Sequence, residues 1–301
     1  MRWRGFFAYF KSPEFRKQLS VEEHKTKATM LPHSNWLKKT AKKLQTIDGK
    51  KVTVYEFVVD SSDQAALKAW AKHFREHYCL DSKLDRLRKG TGKSRAEYLR
   101  DLVFPDANDS FGPATRSGDF AEILIADLLE SELGYWVPRV RYADKMVRNE
   151  SPKGTDVVGF KLAKGSPSQP SRKDVLIAFE SKAQLSRSKS TDRLQDAVND
   201  SMKDKFRIGE SLNAIKRRLI DQDKDDEAER VERFQEGLAV PYVRASGAAA
   251  LFCSSVYSPD AIAGTDCSAH ENRDNLVLVV VHGKDLMKLV HALYKRAANE
   301  A

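Results

Sequence analysis

What this chain has little of narrows it first. Its 301 residues include only three cysteines, Cys79, Cys253 and Cys267, too few and too scattered for a disulfide framework. No apolar run approaches the roughly 18 residues that a membrane helix needs; the best stretch, Asn275 to Val281, stops at His282. The first residues (MRWRGFFAYFKSPEF) are basic and aromatic but hold neither a long apolar stretch nor a small-residue cleavage site, so they do not read as a signal peptide. No internal repeat is visible. These absences point to a cytoplasmic protein with no membrane contact. Hydrophobic residues at 41% and aromatics at 9% suffice for a sizeable core and exclude disorder throughout.

Charge is abundant and unevenly placed. The net charge is +9, yet residues 1–100 hold 23 Lys and Arg against 11 Asp and Glu, while the remainder is slightly acidic. A basic first third suits a polyanion, since each phosphate neutralised releases a counterion; a solvated basic surface with no partner is the plain alternative. Lys38, Lys39, Lys42, Lys43, Arg86, Arg88, Lys89 and Lys93 are the candidate nucleic-acid contacts.

Periodicity organises the chain. Asn35 to Leu44 reads as a basic amphipathic helix, and Lys51 to Val59 as a strand after the Asp48-Gly49 turn. Ser61/Gln64 and Ser94/Glu97 each have capping-box spacing. The turn-rich stretch 106–117 suggests a boundary, giving a smaller basic α+β region at 1–110 and a second domain at 111–301. In the second, an apolar helix over about 118–133 precedes an edge strand at 135–142. Strands follow at 154–162 and 174–183, then a long helical region at 191–238, buried strands at 248–256 and 276–282, and a closing helix at 285–298. Helices interleaved with strands predict an α/β fold with a mixed sheet flanked by helices.

Four residues stand in contexts wrong for an ordinary surface. Glu122 lies inside FAEILIADLL, Asp156 follows Gly154-Thr155 and enters Val157-Val158, and Glu180 ends the run Val175 to Phe179 with Lys182 two residues on. Period two puts Glu180 and Lys182 on one strand face. Carboxylates in buried elements are costly unless paired or bound to a metal. Hard carboxylate oxygens suit Mg²⁺, which neutralises an attacked phosphate and lowers the pKa of a bound water. Phosphodiester hydrolysis is the chemistry these groups fit.

The same residues resemble a known pattern. A helix glutamate, Asp156 in GTD 34 residues later, and Glu180-Ser-Lys182 a further 24 residues on look like the PD-(D/E)xK nuclease superfamily, with Thr155 where that pattern often has proline. More narrowly, GDFAE, KGTDVVGF, FESK and the late VVVHG strand are similar to the HamA family, nuclease effectors of bacterial Hachiman anti-phage defence. The resemblance implies Asp156, Glu180 and the Ser181 carbonyl as metal ligands. Lys182 would orient the attacking water, and Glu122 would complete the site. The metal would be Mg²⁺, with Mn²⁺ as a substitute, the substrate DNA, and the controlling partner a HamB-like helicase.

Other readings remain beside it. Glu180 and Lys182 taken alone would fit an ion pair on a solvated strand face. A catalytically inactive nucleic-acid-binding or partner-docking module on the same fold would bind DNA without metal. Gly90-Thr-Gly-Lys-Ser94 has Leu87 where a phosphate loop needs glycine. His73 and His77 are spaced for zinc, yet with no further ligand in view they are expected to be solvated.

Overall fold

The computed structural model describes residues 31–109, 111–143, 145–186 and 190–301; the basic, aromatic N-terminus lies outside them. A 3₁₀ turn, Pro32–Trp36, leads into β1 (Leu37–Lys39), β2 (Leu44–Gln45) and β3 (Lys51–Phe57). Then come α1 (Gln64–Glu76), α2 (Asp81–Arg88), the short α3 (Arg95–Tyr98) and the long α4 (Gly112–Ser131). β4 (Val157–Lys161) and β5 (Val175–Gln184) precede α5 (Arg193–Ser201), α6 (Asp204–Ile220) and α7 (Asp225–Gln235). β6 (Val243–Cys253), α8 (Pro259–Ala263), β7 (Leu276–Gly283) and α9 (Leu286–Asn299) complete the chain.

The strands form one mixed sheet in the order β1-β3-β7-β6-β5-β4, with β2 also on β3. β3, β7, β6 and β5 run parallel, and β1, β2 and β4 are antiparallel to their neighbours. Parallel strands are covered on both faces, and alternation shows it here. Ile177, Phe179, Ala249, Leu251, Val279 and Val281 pack with α1, α4 and α9 on one face. Ala248, Ala250, Phe252, Leu278 and Val280 meet α5 on the other, where Leu176 and Ala178 meet α6 and α7. α1 buries Trp70 and Phe74, each worth about 1.5–3 kcal/mol.

The α/β mixed sheet matches expectation, and several local expectations do not hold. Residues 35–44 are not a helix: Leu37–Lys39 pairs with Tyr55–Phe57, because an open edge of β3 offers backbone partners that outweigh helical periodicity. The segment 135–142 makes a single bridge, Trp136 to Phe160, rather than a strand; Pro138 lacks the donor that pairing needs. Residues 191–238 divide into three helices. Ser61 does not cap α1, whose N-cap is Asp63 accepting from Ala66 N. The Ser94/Glu97 capping box does form. β3 joins β7 in register from Val52 to Phe57, so the compositional division at residue 110 falls between strands of one sheet.

Candidate active site

The site lies at the β4–β5 end of the sheet. Val157 pairs with Phe179 in the antiparallel β4–β5 register, and one step further sets Asp156 beside Glu180. Opposed antiparallel residues share a face, and Glu180 and Lys182 share it by period two. Gly154 makes this approach with φ of +101°, and a Cβ there would meet Ser211 Oγ at 3.0 Å. The GTD glycine is therefore required by conformation and by space.

Each group has definite partners. Asp156 Oδ2 accepts from Ser181 N at 3.0 Å, and its Oδ1 accepts from Arg141 Nη2 at 3.1 Å. Arg141 Nε also donates to Glu122 Oε2 at 2.7 Å, and Tyr142 OH donates to the same oxygen at 2.5 Å. Glu122, on α4 across the sheet, thus reaches Asp156 through Arg141. Lys182 Nζ donates to Glu180 Oε1 and lies 2.7 Å from Asp200 Oδ2. Asp204, at the start of α6, accepts from Thr155 Oγ1 at 3.0 Å. Glu180 is 5% exposed and Glu122 7%, which removes the solvated ion-pair reading of Glu180 and Lys182.

Burial dominates the electrostatics. It pushes the Asp156 carboxyl up to about 7, with Glu122 adding to the rise, and the Asp204 carboxyl up to about 6. Glu122 and Glu180 are raised by burial as well. Lys182 is held above its usual range: burial lowers it, but the hydrogen bonds and charges of Asp200 and Glu180 outweigh that. Glu180 Oε2 and Asp204 Oδ2 are buried without a hydrogen-bond partner among the described residues. A cavity of about 60 Å³ beside Glu122 and Asp156 has Arg139, Arg141, Lys153 and Arg218 among its walls.

A model of the HamA family matches residues 32–297. The chain belongs to the HamA family. Membership places it among the effectors of Hachiman defence against phage, and the match takes in residues 32–100 of the basic first third as well as the strands that carry Asp156 and Glu180. No curated protein and no solved structure matches the chain. No described helix is long and apolar enough to cross a membrane.

In this HamA-family chain, Glu122, Asp156, Glu180 and Lys182 come together. The eight basic candidates do not join them. Lys38 and Lys39 are exposed on β1, Lys42 and Lys43 in the loop beyond it, and Arg86, Arg88, Lys89 and Lys93 lie in and after α2. Arg88 pairs with Asp85 and Lys93 with Asp101. Sequence reasoning missed Arg141, Tyr142, Asp200 and Asp204. For Arg141 and Tyr142 a signal existed, since charged and apolar residues alternate in YWVPRVRY beside a proline; Asp200 and Asp204 look like ordinary helix-terminal acids. His73 and His77 are not solvated: His77 is 5% exposed, and His73 Nε2 lies 2.9 Å from the buried Asp127.

Proposed function

We propose that this chain is a metal-dependent nuclease that cleaves DNA as the effector of its defence system, held in check by a helicase partner. The observation that carries the reading is the pair of buried, unpartnered carboxylate oxygens, Glu180 Oε2 and Asp204 Oδ2, in the cluster that holds Asp156. Orphaned anionic oxygens are costly, and hard oxygen donors match Mg²⁺ or Mn²⁺. Asp156, Glu180 and Asp204 would hold the ion. Bound there, it would supply charge neutralisation at the attacked phosphate and a water of lowered pKa.

The chain's own groups provide the rest. Lys182, kept protonated by Glu180 and Asp200, is suited to donate to the attacking water or a phosphate oxygen rather than to remove a proton. Arg141 holds Asp156 and Glu122 in place. Lys153 and Arg218 on the cavity wall offer positive charge to the backbone of a nucleic acid. The basic residues of β1, α2 and their loops would contact DNA further along or receive the helicase.

The test is cleavage of supercoiled plasmid by the purified chain with Mg²⁺, with EDTA, and with Lys182→Ala. Metal-dependent nicking lost in the variant supports the reading. DNA binding without cleavage, unaffected by EDTA and by Lys182→Ala, even with the helicase partner present, would overturn it in favour of a binding module.

A further inference from the structure

A second polar cluster lies outside the carboxylate site, among elements distant in sequence. His33 comes from the 3₁₀ turn, His73 from α1 and Asp127 from α4, and one ligand atom of each lies within 4.8 Å of the others. His33 Nε2 is 2.8 Å from Asp127 Oδ2, and His73 Nε2 is 2.9 Å from Asp127 Oδ1. His77, one helical turn beyond His73, presents its own Nε2 3.4 Å from His73 Nε2. His33 and Asp127 are fully buried, while the His73 side chain keeps 21% exposure.

We propose that His33, His73 and Asp127 form a binding site for a divalent transition-metal ion of the zinc class. Two imidazoles turn the same ring nitrogen toward one carboxylate, and a third, His77, points its Nε2 at the nearer of them. As hydrogen bonding alone this is a poor solution: if His73 Nε2–H donates to Asp127, that nitrogen has no lone pair left for His77, whose Nε2 is otherwise met by Arg139 Nη1 at a long 3.5 Å. As coordination it is a natural one. Metal–nitrogen bonds of about 2.0–2.1 Å in a tetrahedron hold ligand nitrogens roughly 3.3 Å apart. Two imidazoles and one carboxylate suit Zn²⁺ or Co²⁺ and are a poor match for Mg²⁺. His77 Nε2 or a water reaching in beside His73 would take the fourth position.

The neighbouring cation has somewhere to go. Arg139 Nη2 touches Asp127 Oδ1 but also donates to Glu130 Oε2. Glu130 keeps the guanidinium paired when an ion takes the Asp127 oxygen. The His33 ring stacks on Trp70 at 5.2 Å, so an ion here would tie the 3₁₀ turn and α1 to α4, and binding energy would become folding energy.

The experiment uses the full chain without an affinity tag: measured zinc content, and visible absorption on titration with Co²⁺. With the carboxylate site removed by Asp156→Asn, one Co²⁺ per chain is expected, displaced by Zn²⁺. Affinity should fall by roughly 100-fold or more in Asp127→Asn and His73→Gln, and stay unchanged in Asp156→Asn, which reports on the carboxylate site. A chelator should lower the melting temperature of the parent and leave His73→Gln unmoved. His73 is the most exposed of the three, so that variant serves if Asp127→Asn fails to fold. A parent chain that binds no Co²⁺, or equal binding by a folded His73→Gln, would overturn the proposal and leave a hydrogen-bonded knot. The outcome is independent of whether the chain cleaves DNA.

Discussion

One helix serves two buried polar clusters, and they differ in which charge is scarce. Glu122 and Asp127 stand five residues apart on α4. Around Glu122 lie four carboxylates, with Asp156, Glu180 and Asp204; two cations, Arg141 and Lys182, pair with the first three, and all four are pushed upward by burial and by a neighbouring carboxylate. Around Asp127 one carboxylate meets His33, His73 and Arg139. Despite complete burial it is held well below the usual carboxylate range by the charges of His73, Arg139 and His33. Burial alone therefore sets neither outcome; the number of donors per carboxylate does. The first cluster is short of positive charge and offers hard oxygens, and the second offers imidazole nitrogens once its histidines release their protons, so two ions of different chemistry are expected at sites joined by one helix.

The largest effect should come from removing members of the charge-poor cluster. Asp156→Ala, Glu180→Ala and Lys182→Ala are each expected to lower plasmid cleavage by about 10³-fold or more while circular dichroism stays native. Retained cleavage in any one removes that residue from the mechanism. Asp204→Ala tests the residue that the sequence did not reveal, and should cost at least tenfold in the Mg²⁺ concentration needed for half-maximal cleavage.

Next is the cation that the charge-poor cluster depends on. Arg141 is bound to Glu122, Asp156, and the carbonyls of Thr155 and Pro152. Arg141→Ala leaves two buried carboxylates uncompensated and should destabilise the metal-free chain by about 3 kcal/mol, read as a lower denaturant midpoint. Added Mg²⁺ should restore part of that loss, stabilising Arg141→Ala more than the parent, whereas Arg139→Ala, in the Asp127 cluster, should gain no more from Mg²⁺ than the parent does.

A pH series sharpens the same contrast. The Asp156 carboxyl ionises near 3.8 when unfolded and at about 7 when folded. Between those values the folded chain holds a proton that the unfolded chain has released. Its contribution to stability is therefore largest at the acid end and is lost as pH rises through 7. His77, pulled well below its ordinary range by burial, works in the opposite sense below about 6.5, so Asp156→Asn serves as the control. From pH 5.5 to 8 the metal-free parent should lose about 2 kcal/mol relative to that variant; a constant gap would mean that Asp156 is ionised throughout.

How much of this was legible in the sequence depends on how far apart the interacting residues lie. The apolar runs of β5, β6 and β7 declared themselves because parallel strands are apolar on both faces. Glu180 and Lys182 were readable because their relation is local, and the GTD motif because Gly154 fixes the turn beneath Asp156. Asp204 was not, since what makes it part of the site is contact with Thr155, a tertiary fact that no period encodes; Arg141 showed only as a charge in an alternating segment, with nothing to say that it meets Asp156. Residues 35–44 misled because the basic helical stripe was real, while an open edge on β3 was the stronger partner. His73 and His77 were read from their own helix, whereas their surroundings come from His33 and Asp127.

The smallest expected effect concerns the two ends of the sheet. Lys38 and Lys39 sit on β1, and β3, β7 and β6 lie between β1 and β5, so they are roughly 19 Å from the carboxylates at about 4.8 Å per strand. Lys153 lies on the cavity wall beside Asp156. If DNA runs only past the mouth of the cavity, Lys153→Ala should reduce the salt dependence of binding by about one phosphate contact, and the Lys38→Ala/Lys39→Ala double variant should change it little. If the strand continues to the β1 edge, the double variant should lower the slope by about two and weaken binding several-fold with cleavage chemistry intact. Should the double variant instead leave DNA binding untouched and abolish association with the helicase, the basic edge is the partner's surface, and the charge asymmetry of the sequence reflects a protein contact rather than a nucleic-acid one.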